Sequence, residues 1–340
     1  MVSIKDVAAA CKVSVATVSK ALNGHSDISA ATRDRVCRTA TEMGYMPNSA
    51  ARALKTNRTY NLGVLFVDEA QSGLTHEYFA AVLDSFKREA ERRGYDITFL
   101  NRNIGDRPAS YLEHCRYRGL DGVVAACIDF TDPDVAELIQ SNLPTVTLDH
   151  AFNNRSSVFS DNAAGMQMLV THLAELGHKR IAYIHGETHS SVTERRLAGF
   201  YKACDEQGLK IPDEYVRPGL YRNIKSAAQQ TGELLMLPQR PTAILYQDDF
   251  SAAGGLAVLR DAGLSIPDDI SIVGYDGSLV STLLSPRLTT YGQNTALLGR
   301  TAAEILIRQI ENPRTTLPEQ RIIQGNLLPG GTTAPPRSGV

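Results

Sequence analysis

The sequence predicts an all-α helix-turn-helix unit at the N-terminus, followed by an α/β core of two doubly wound lobes with parallel sheets. Apolar residues recur at helical spacing in the first 47 residues. From Asn61 onward, short β-branched runs alternate with amphipathic helices, and this alternation restarts near Asp161. With 340 residues, the chain is long enough for two or three domains, each with its own hydrophobic core.

The charge of the chain is unevenly distributed. The net charge is −2, but residues 1–60 hold nine Lys and Arg against four Asp and Glu, so this segment carries +5 and the remaining 280 residues carry −7. A basic unit joined to an acidic body is typical of nucleic-acid binders. An ordinary solvated surface can also carry +5.

The composition excludes several classes of protein. The longest apolar runs, such as residues 122–128, are far too short to span a membrane. Five scattered cysteines form no CxxC pair, which argues against a zinc site or a disulfide framework and favours free thiols. Because patterned sequence begins almost at Met1, we expect no signal peptide and a cytoplasmic location.

The N-terminal segment is predicted to form three short helices. The second helix begins after the cap residue Ser14 and turns Val18, Ala21 and Leu22 inward at positions i, i+3 and i+4. Ser29 caps the third helix. Two helices joined by a turn and braced by a third form a helix-turn-helix, whose second helix enters the major groove of DNA. The outward face of that helix is small: Val15, Ala16, Ser19 and Lys20.

Three segments, IKDVAAACKVSVATVSKAL, ISAATRDRV and MGYMPNSAARAL, closely resemble the headpiece of the lactose-repressor/galactose-repressor (LacI/GalR) family of bacterial transcriptional regulators. The resemblance covers the headpiece without gaps and continues to about residue 330. Cys11 and Lys12 stand where members often have Ala-Gly, so we expect Lys12 in a left-handed conformation. Lys20 replaces the commoner Arg, which exchanges a bidentate fork for a point charge.

The resemblance implies which headpiece residues contact DNA. Thr17 and Ser29 can equally serve only as helix caps, and the linker with Leu54 can equally be an ordinary exposed segment. In relatives, the leucine at that position wedges into the minor groove. The implied base contacts are Val15, Ala16 and Lys20; the implied phosphate contacts are Thr17, Ser19, Asn23, Ser29, Thr32 and Asn48; the implied hinge contacts in the minor groove are Ala51 and Leu54.

The resemblance also implies a domain organisation in which the core has the architecture of periplasmic sugar-binding proteins. We expect a headpiece at 1–47, a hinge helix and linker at 48–60, an effector-binding and dimerisation core at 61–330, and a flexible tail at 331–340. Within the core, we expect one lobe at about 61–160 plus 293–320 and the other at about 161–290 plus 321–330. The tail lacks heptads, so we predict no C-terminal tetramerising helix.

Ligands of open α/β sheets bind beyond the carboxyl ends of the strands, and acidic residues follow several predicted strands. An Asp in that position is often the N-cap of the next helix, and this is the interpretation we favour for Asp249. Asp248 stands where many family members have Asn. The effector-binding positions implied by the resemblance are Tyr78, Phe79, Asp149, Arg196, Asp248, Asp276 and Gln293.

These side chains suit a neutral polyhydroxylated effector such as a sugar or a nucleoside. Since the chain has no Trp, any stacking on the ligand relies on Tyr or Phe. We find no P-loop, GxSxG or HExxH motif. His185 and His189 are four apart, but they lie at a strand end and in a loop, so we expect no metal, no cofactor and no enzyme activity.

The sequence thus predicts a homodimeric repressor that binds a pseudo-palindromic operator and responds to a small effector. Two alternatives use the same core: a transcriptional activator, and a transport-type sugar-binding protein. The headpiece argues against the transport protein, whereas the position of the operator in the promoter decides between repressor and activator.

Overall fold

The computed structural model describes residues 2–46, 53, 58–67 and 73–337, and it divides the chain into two units, Met1–Tyr60 and Asn61–Val340. The predicted hinge residues Asn48, Ala51 and Leu54 lie outside the described residues.

The first unit contains the three predicted helices. Val7, Val18 and Val36, one from each helix, are fully buried and belong to the same small hydrophobic core. Ser14 and Ser29 cap the second and third helices by accepting hydrogen bonds from backbone N–H groups. These predictions are confirmed. The helices are α1 (Ile4–Cys11), α2 (Val15–Leu22) and α3 (Ala30–Glu42).

Lys12 ends α1 in the left-handed conformation that the sequence predicted, with φ 51° and ψ 43°. Its backbone N–H bonds to the carbonyl of Ala9, which satisfies one of the free groups at the helix end. The sharp turn between α1 and α2 is therefore made without glycine, at a cost of about 1 kcal/mol.

The second unit begins with a lobe built on a six-stranded parallel sheet in the order β13-β7-β6-β5-β1-β2. Its inner strands β5, β6 and β7 are buried along their whole length, as expected when helices cover both faces of a parallel sheet. The elements of this lobe are β1 (Asn61–Phe66), α4 (Glu77–Arg92), β2 (Asp96–Phe99), the hairpin β3 (Asn103–Ile104) and β4 (Arg107–Pro108), α5 (Tyr111–Arg118), β5 (Gly122–Ala126), α6 (Pro133–Gln140), β6 (Thr145–Leu148), β7 (Ser156–Ser160), α12 (Thr295–Glu311) and β13 (Gln320–Ile323).

The other lobe has a sheet of the same size in the order β14-β12-β11-β10-β8-β9, in which only β14 runs antiparallel to its neighbour. Strand residues that include Tyr183, Tyr275 and Tyr291 pack against two helices in one buried cluster, and Tyr246 belongs to a second one. Its elements are α7 (Asn162–Glu175), β8 (Ile181–His185), α8 (Ser191–Glu206), β9 (Val216–Pro218), α9 (Ile224–Leu235), β10 (Ala243–Tyr246), α10 (Asp249–Asp261), β11 (Ser271–Asp276), α11 (Leu279–Leu283), β12 (Thr289–Gly292) and β14 (Asn326–Leu328).

The chain crosses between the lobes three times, after β7, after β12 and after β13. The last crossing differs from the prediction, which assigned residues 321–330 to the second lobe. Strand β13 pairs with β7 in the first sheet, so residues 321–323 belong to the first lobe. The reason is that this strand completes the edge of that sheet, next to α12, which packs on α4.

The predicted flexible tail is wrong for its described part. Thr332 is fully buried, and its hydroxyl and backbone bond to both backbone groups of Ile272. The buried ring of His178 lies 2.9 Å from the carbonyl oxygen of Ala334. These contacts hold the tail along the amino ends of β11 and β12, because the first residues of those strands need hydrogen-bond partners there.

Among the described residues, no helix is long and apolar enough to cross a membrane.

Candidate effector cleft and nucleic-acid interface

The carboxyl ends of the two sheets carry most of the predicted effector residues. Asp149 follows β6 in the first lobe, and Asp276 ends β11 in the second. Two crossing segments also contribute, through Asn162 and Gln293. The parallel order of the strands brings these ends to one edge of each sheet, which is where ligands of such sheets bind.

Arg196 is the best-anchored side chain of this cleft. It lies on α8 and is only 4% exposed. Its Nε donates to Oδ1 of Asn162 and its Nη1 donates to the backbone oxygen of Gln247, each over 2.7 Å. The guanidinium carbon lies 3.5 Å above the ring of Tyr275. These contacts fix the guanidinium plane, and its Nη2 then lies 3.9 Å from Oδ1 of Asp276.

Asp276 is oriented by Arg196 and by a crossing segment. Its Oδ1 accepts a hydrogen bond from Nε2 of Gln293 over 2.7 Å. Burial raises the pKa of the Asp276 carboxyl well above its usual value, although the charge of Arg196 opposes this. Three predicted effector residues therefore meet in one cluster.

Asp149 and Tyr78 form a second cluster in the first lobe. The Tyr78 hydroxyl donates to Oδ2 of Asp149 over 2.9 Å, and the backbone N–H of Ser160 donates to Oδ1 over 3.1 Å. Burial raises the pKa of Asp149, and these two hydrogen bonds only partly offset the effect. The neighbouring ring of Phe79 packs edge-on to Tyr78 and tilted against Phe66.

The backbone is strained at both cleft aspartates. Asp149 has φ 57° and Asp276 has φ 110°, and both values lie in the region that favours glycine. Strain of this kind is commonly stored at functional sites, where the surrounding structure holds a side chain in a required direction.

Asp248 and Asp249 both differ from the prediction: Asp248, predicted to bind the effector, caps a helix, and Asp249, predicted to cap it, does not. Asp248, not Asp249, is the N-cap of α10: its carboxylate accepts from the backbone N–H of Ser251 and from that of Arg222. The capping prediction for Asp249 is therefore wrong by one residue, because the helix begins at Asp249 itself. The fully buried Asp249 instead accepts from the hydroxyl of Thr290 and the backbone N–H of Ser278.

These bonds give the two acids structural partners within the second lobe. Asp248 holds the segment after β9, and Asp249 holds the segment between β11 and α11 that follows Asp276. Burial raises the pKa of Asp249 to about 7. Neither carboxylate lies open to solvent.

Sequence reasoning missed four residues around Arg196: Asn162, Tyr221, Gln247 and Tyr275. Asn162 looked like an ordinary first residue of a helix, and Tyr275 like the core of a strand. The useful signal was a polar residue directly after a strand, which Gln247 shows after β10; Tyr221 lies three residues beyond the end of β9 and carries no such signal.

The headpiece presents the predicted DNA-contacting residues of α2 on its outer side. Val15 is 41% exposed, and Ala16 is exposed beside it. The Thr17 hydroxyl bonds to that of Ser14 over 2.9 Å. Lys20 forms an ion pair with Asp27.

The remaining predicted phosphate contacts are also engaged locally. The Asn23 amide donates to the backbone oxygen of Ser19 over 2.7 Å. Ser29 accepts from the backbone N–H of Thr32, and the two hydroxyls lie 2.9 Å apart. Capping and DNA contact are compatible for these side chains, since a hydroxyl has more than one bonding position.

Among the described residues, no group of three or more His, Cys, Asp and Glu side chains is placed to hold a metal ion.

Comparison with known proteins places both units of the chain. Residues 3–48 match the model of bacterial regulatory proteins of the lacI family, and residues 170–333 match the periplasmic binding protein-like domain. The HTH-type transcriptional repressor PurR of Escherichia coli O139:H28 is 32% identical over 319 residues, which cover 92% of each chain. PurR of Haemophilus influenzae strain PittEE is 32% identical over 314 residues, 91% of each chain.

Two solved structures resemble almost the whole chain. The crystal structure of the lac repressor dimer bound to operator and the anti-inducer ONPF superposes with a TM-score of 0.79 at 27% identity, covering 98% of this chain and 99% of that one. The complex of the transcriptional regulator CelR with cellobiose gives a TM-score of 0.71 at 27% identity, covering 98% and 100%. From its headpiece, its two-lobed core and these relatives, the chain belongs to the LacI family of bacterial regulatory proteins and is a DNA-binding transcriptional repressor, not an enzyme.

Proposed function

We propose that this repressor binds a pseudo-palindromic operator as a homodimer, and that a neutral polyhydroxylated effector, a sugar or a nucleoside, binds between its lobes and controls operator affinity. The observation that carries the effector proposal is the pairing of Arg196 with Asp276 at 3.9 Å. It sets a fixed hydrogen-bond donor beside an acceptor.

A donor beside an acceptor matches two neighbouring hydroxyl groups. One hydroxyl accepts from Nη2 of Arg196, and the other donates to the carboxylate of Asp276. Gln293 orients that carboxylate from the crossing segment. On the other lobe, Asp149 and Tyr78 offer a second set of polar groups. A ligand that engages both sets connects the two lobes.

The charges of the cleft favour a neutral ligand. Asp149 and Asp276 repel an anion when they are ionised. Because burial raises the pKa of both carboxyls, the charged forms are also costly to maintain. A hydroxyl can donate to an ionised carboxylate or accept from a protonated one, so it fits either state.

Several hydrogen bonds join the lobes beside the cleft, and lobe movement would change them. The Ser191 hydroxyl donates to the backbone oxygen of Asp149 over 2.9 Å, and the backbone N–H of Leu279 donates to Glu77 over 2.5 Å. Effector binding that favours one arrangement of the lobes would be transmitted to the headpiece. Typical allosteric coupling of about 1–3 kcal/mol changes operator affinity about 5- to 150-fold.

The DNA part of the proposal assigns roles to the predicted headpiece and hinge residues. Val15 and Ala16 would contact thymine methyl groups, and Lys20 would donate to base acceptors. Leu54 would wedge into the minor groove. The lac repressor structure, a dimer bound to operator, supports the homodimer and the operator, and the cellobiose complex of CelR supports a sugar ligand.

A selection from randomised duplexes tests the DNA part. The full-length protein should enrich palindromic sequences and form a complex with two protein chains, as measured by analytical ultracentrifugation. Leu54→Ala should weaken binding to the selected operator strongly, because the hinge can no longer open the minor groove. Enrichment of half-sites alone, or unchanged affinity of Leu54→Ala, would contradict the proposal.

A thermal-shift screen of neutral sugars and nucleosides tests the effector part. A ligand present at 100 times its Kd should add about 2.7 kcal/mol to the stability of the core. Arg196→Ala should abolish this shift and the effect of the ligand on operator binding, while operator binding itself persists. Asp276→Asn keeps the shape of the cleft and should weaken the same ligand. A full response from both variants would place the effector elsewhere.

A further inference from the structure

We infer that Asp27 is a specificity-determining residue of the headpiece, which restrains Lys20 so that its ammonium group serves base contacts and not phosphate contacts. The inference rests on the proposed function, because it takes Lys20 as a base contact. Asp27 itself belongs to none of the predicted DNA contacts.

The observation is the ion pair between Nζ of Lys20 and Oδ2 of Asp27. Lys20 is the only ionisable residue of α2 and lies in its last turn. The two side chains remain 46% and 54% exposed, so the pair lies on the surface of the headpiece and stays accessible to a ligand. Lys20 holds the pKa of Asp27 below its usual value, so Asp27 is ionised at neutral pH.

The position of Asp27 is set by the two residues that follow it in the chain. Ile28 packs against the core of the headpiece, and Ser29 caps α3 through the N–H of Thr32. The loop between α2 and α3 is tied further by Arg33, which donates to the backbone oxygen of His25 over 2.8 Å. The backbone at Asp27 is therefore held in place, so its carboxylate is a fixed partner for the flexible side chain of Lys20.

A lysine side chain needs a fixed carboxylate beside it to prefer a base edge over the phosphates of DNA. Its ammonium is a point charge on a long flexible stem, and it can reach several phosphates equally well. An ammonium group has three N–H donors. Lys20 can keep one on Asp27 and direct another at a base acceptor, such as O6 or N7 of guanine in the major groove.

Moving Lys20 to a phosphate would break the pair. It would also leave the Asp27 carboxylate, without its cation, close to the negatively charged backbone. Non-specific binding is mainly electrostatic, so this repulsion weakens it more than it weakens binding to the correct operator. Specificity increases because the wrong sites are penalised.

The test compares five full-length variants with the original protein: Asp27→Asn, Asp27→Glu, Lys20→Ala, the double variant of Asp27→Asn and Lys20→Ala, and Asp34→Asn. Asp34 is an exposed acid of α3 that is not paired with Lys20, so its substitution removes the same charge from the headpiece as a matched control. The DNA probes are an operator selected by the protein from randomised duplexes, its single-base variants, and a random-sequence duplex. Affinities are measured over a range of salt concentrations.

Asp27→Asn should bind the random duplex about 3- to 10-fold more tightly and discriminate less between single-base variants. The slope of log affinity against log salt should steepen by about 0.9, the value for one additional phosphate contact. Asp34→Asn should change the ratio of operator to random-sequence affinity by less than about 2-fold. Asp27→Glu should restore most of the original ratio.

Two results would overturn the inference alone. One is an equal loss of discrimination in Asp27→Asn and Asp34→Asn, which would make it an effect of net charge. The other is the full Asp27→Asn effect in a Lys20→Ala background, which would show that Lys20 is not involved. A Lys20→Ala variant with unchanged base preference would instead refute the proposed base contact of Lys20 and the inference with it.

Discussion

In the headpiece, the polar side chains predicted to contact DNA bond to residues three to seven positions away: Thr17 to Ser14, Asn23 to Ser19, and Lys20 to Asp27. In the cleft, the partners lie much further along the chain. Arg196 bonds to groups 34 and 51 positions away, and Tyr78 to one 71 positions away.

The two regions also differ in how far their polar pairs are exposed to solvent. The headpiece pairs are exposed, so their side chains can exchange a local partner for DNA at little cost. The cleft pairs are buried, so losing one partner leaves a polar group unsatisfied and costs more. The headpiece side chains can therefore add a DNA contact to their local one, whereas the cleft favours one geometry and suits a switch.

The carboxyl groups of the two regions show opposite pKa shifts. In the headpiece, hydrogen bonds from Ser3 lower the pKa of Asp6, and Lys20 lowers that of Asp27. In the cleft, burial raises the pKa of Asp149, Asp248 and Asp276, and it raises that of Asp249 to about 7. Lowering the pH should therefore reduce the contribution of the headpiece carboxyls to folding stability and increase that of the cleft carboxyls.

The largest expected effect is the pH dependence of the core. Because the folded chain binds the Asp249 proton more tightly than the unfolded chain, the stabilisation is fully present below about pH 4 and is lost as pH rises through about 7. This one group should lower the free energy of unfolding by about 4 kcal/mol over that interval. Urea denaturation of the original protein and of Asp249→Asn measures the two pH slopes.

Asp249→Asn should show the shallower slope, even though its amide offers a single acceptor oxygen and lowers the stability at every pH. Asp96→Asn, at an exposed position on β2, is the control and should leave the slope unchanged. Equal slopes for Asp249→Asn and the original protein would mean that Asp249 is ionised in the folded chain and would remove the contrast between the two regions.

Asn162→Ala should have a smaller effect that tests the long-range contacts. The Oδ1 atom of Asn162 accepts from Nε of Arg196 over 2.7 Å and from the Tyr275 hydroxyl over 3.4 Å. Its loss leaves two buried donors unsatisfied, which should cost about 2–3 kcal/mol. Asn223→Ala removes a local helix cap bonded to Ser226 and should cost about 1 kcal/mol. If thermal unfolding showed the same loss of stability in both variants, long-range contacts of the cleft would contribute no more than a local helix cap.

The smallest effect is expected from Ser14→Ala in the headpiece. Ser14 accepts from the N–H of Thr17, and the loss of such a cap costs about 1 kcal/mol. Hydrogen exchange should become faster in α2 and stay unchanged in the core. Ser26→Ala, at an exposed position in the following loop, should leave exchange unchanged. Similar exchange in the two variants would show that the cap contributes nothing to α2.

The headpiece was predictable because its stabilising contacts are short in sequence. The caps at Ser14 and Ser29, the inward face with Val18 and Ala21, and the left-handed Lys12 all depend on residues a few positions away. Helical spacing and capping rules describe such contacts directly.

The cleft was predictable only in part. The resemblance to the family indicated Arg196 and Asp276, but not Asn162 or Tyr275, which hold Arg196 in place. Asp248 and Asp249 show the limit clearly: either acid could cap the helix, and the packing of the next loop decided which one does.

The sequence by itself determined the helix-turn-helix, the alternation of strands and helices, and the acidic residues at the strand ends, because each follows from local spacing or from residue type. Tertiary structure alone decided that β13 joins the first sheet and that Thr332 is buried against the second. It also decided that the Arg196 guanidinium faces Asp276. These features depend on partners distant in the chain, and their positions are set only when the lobes have packed.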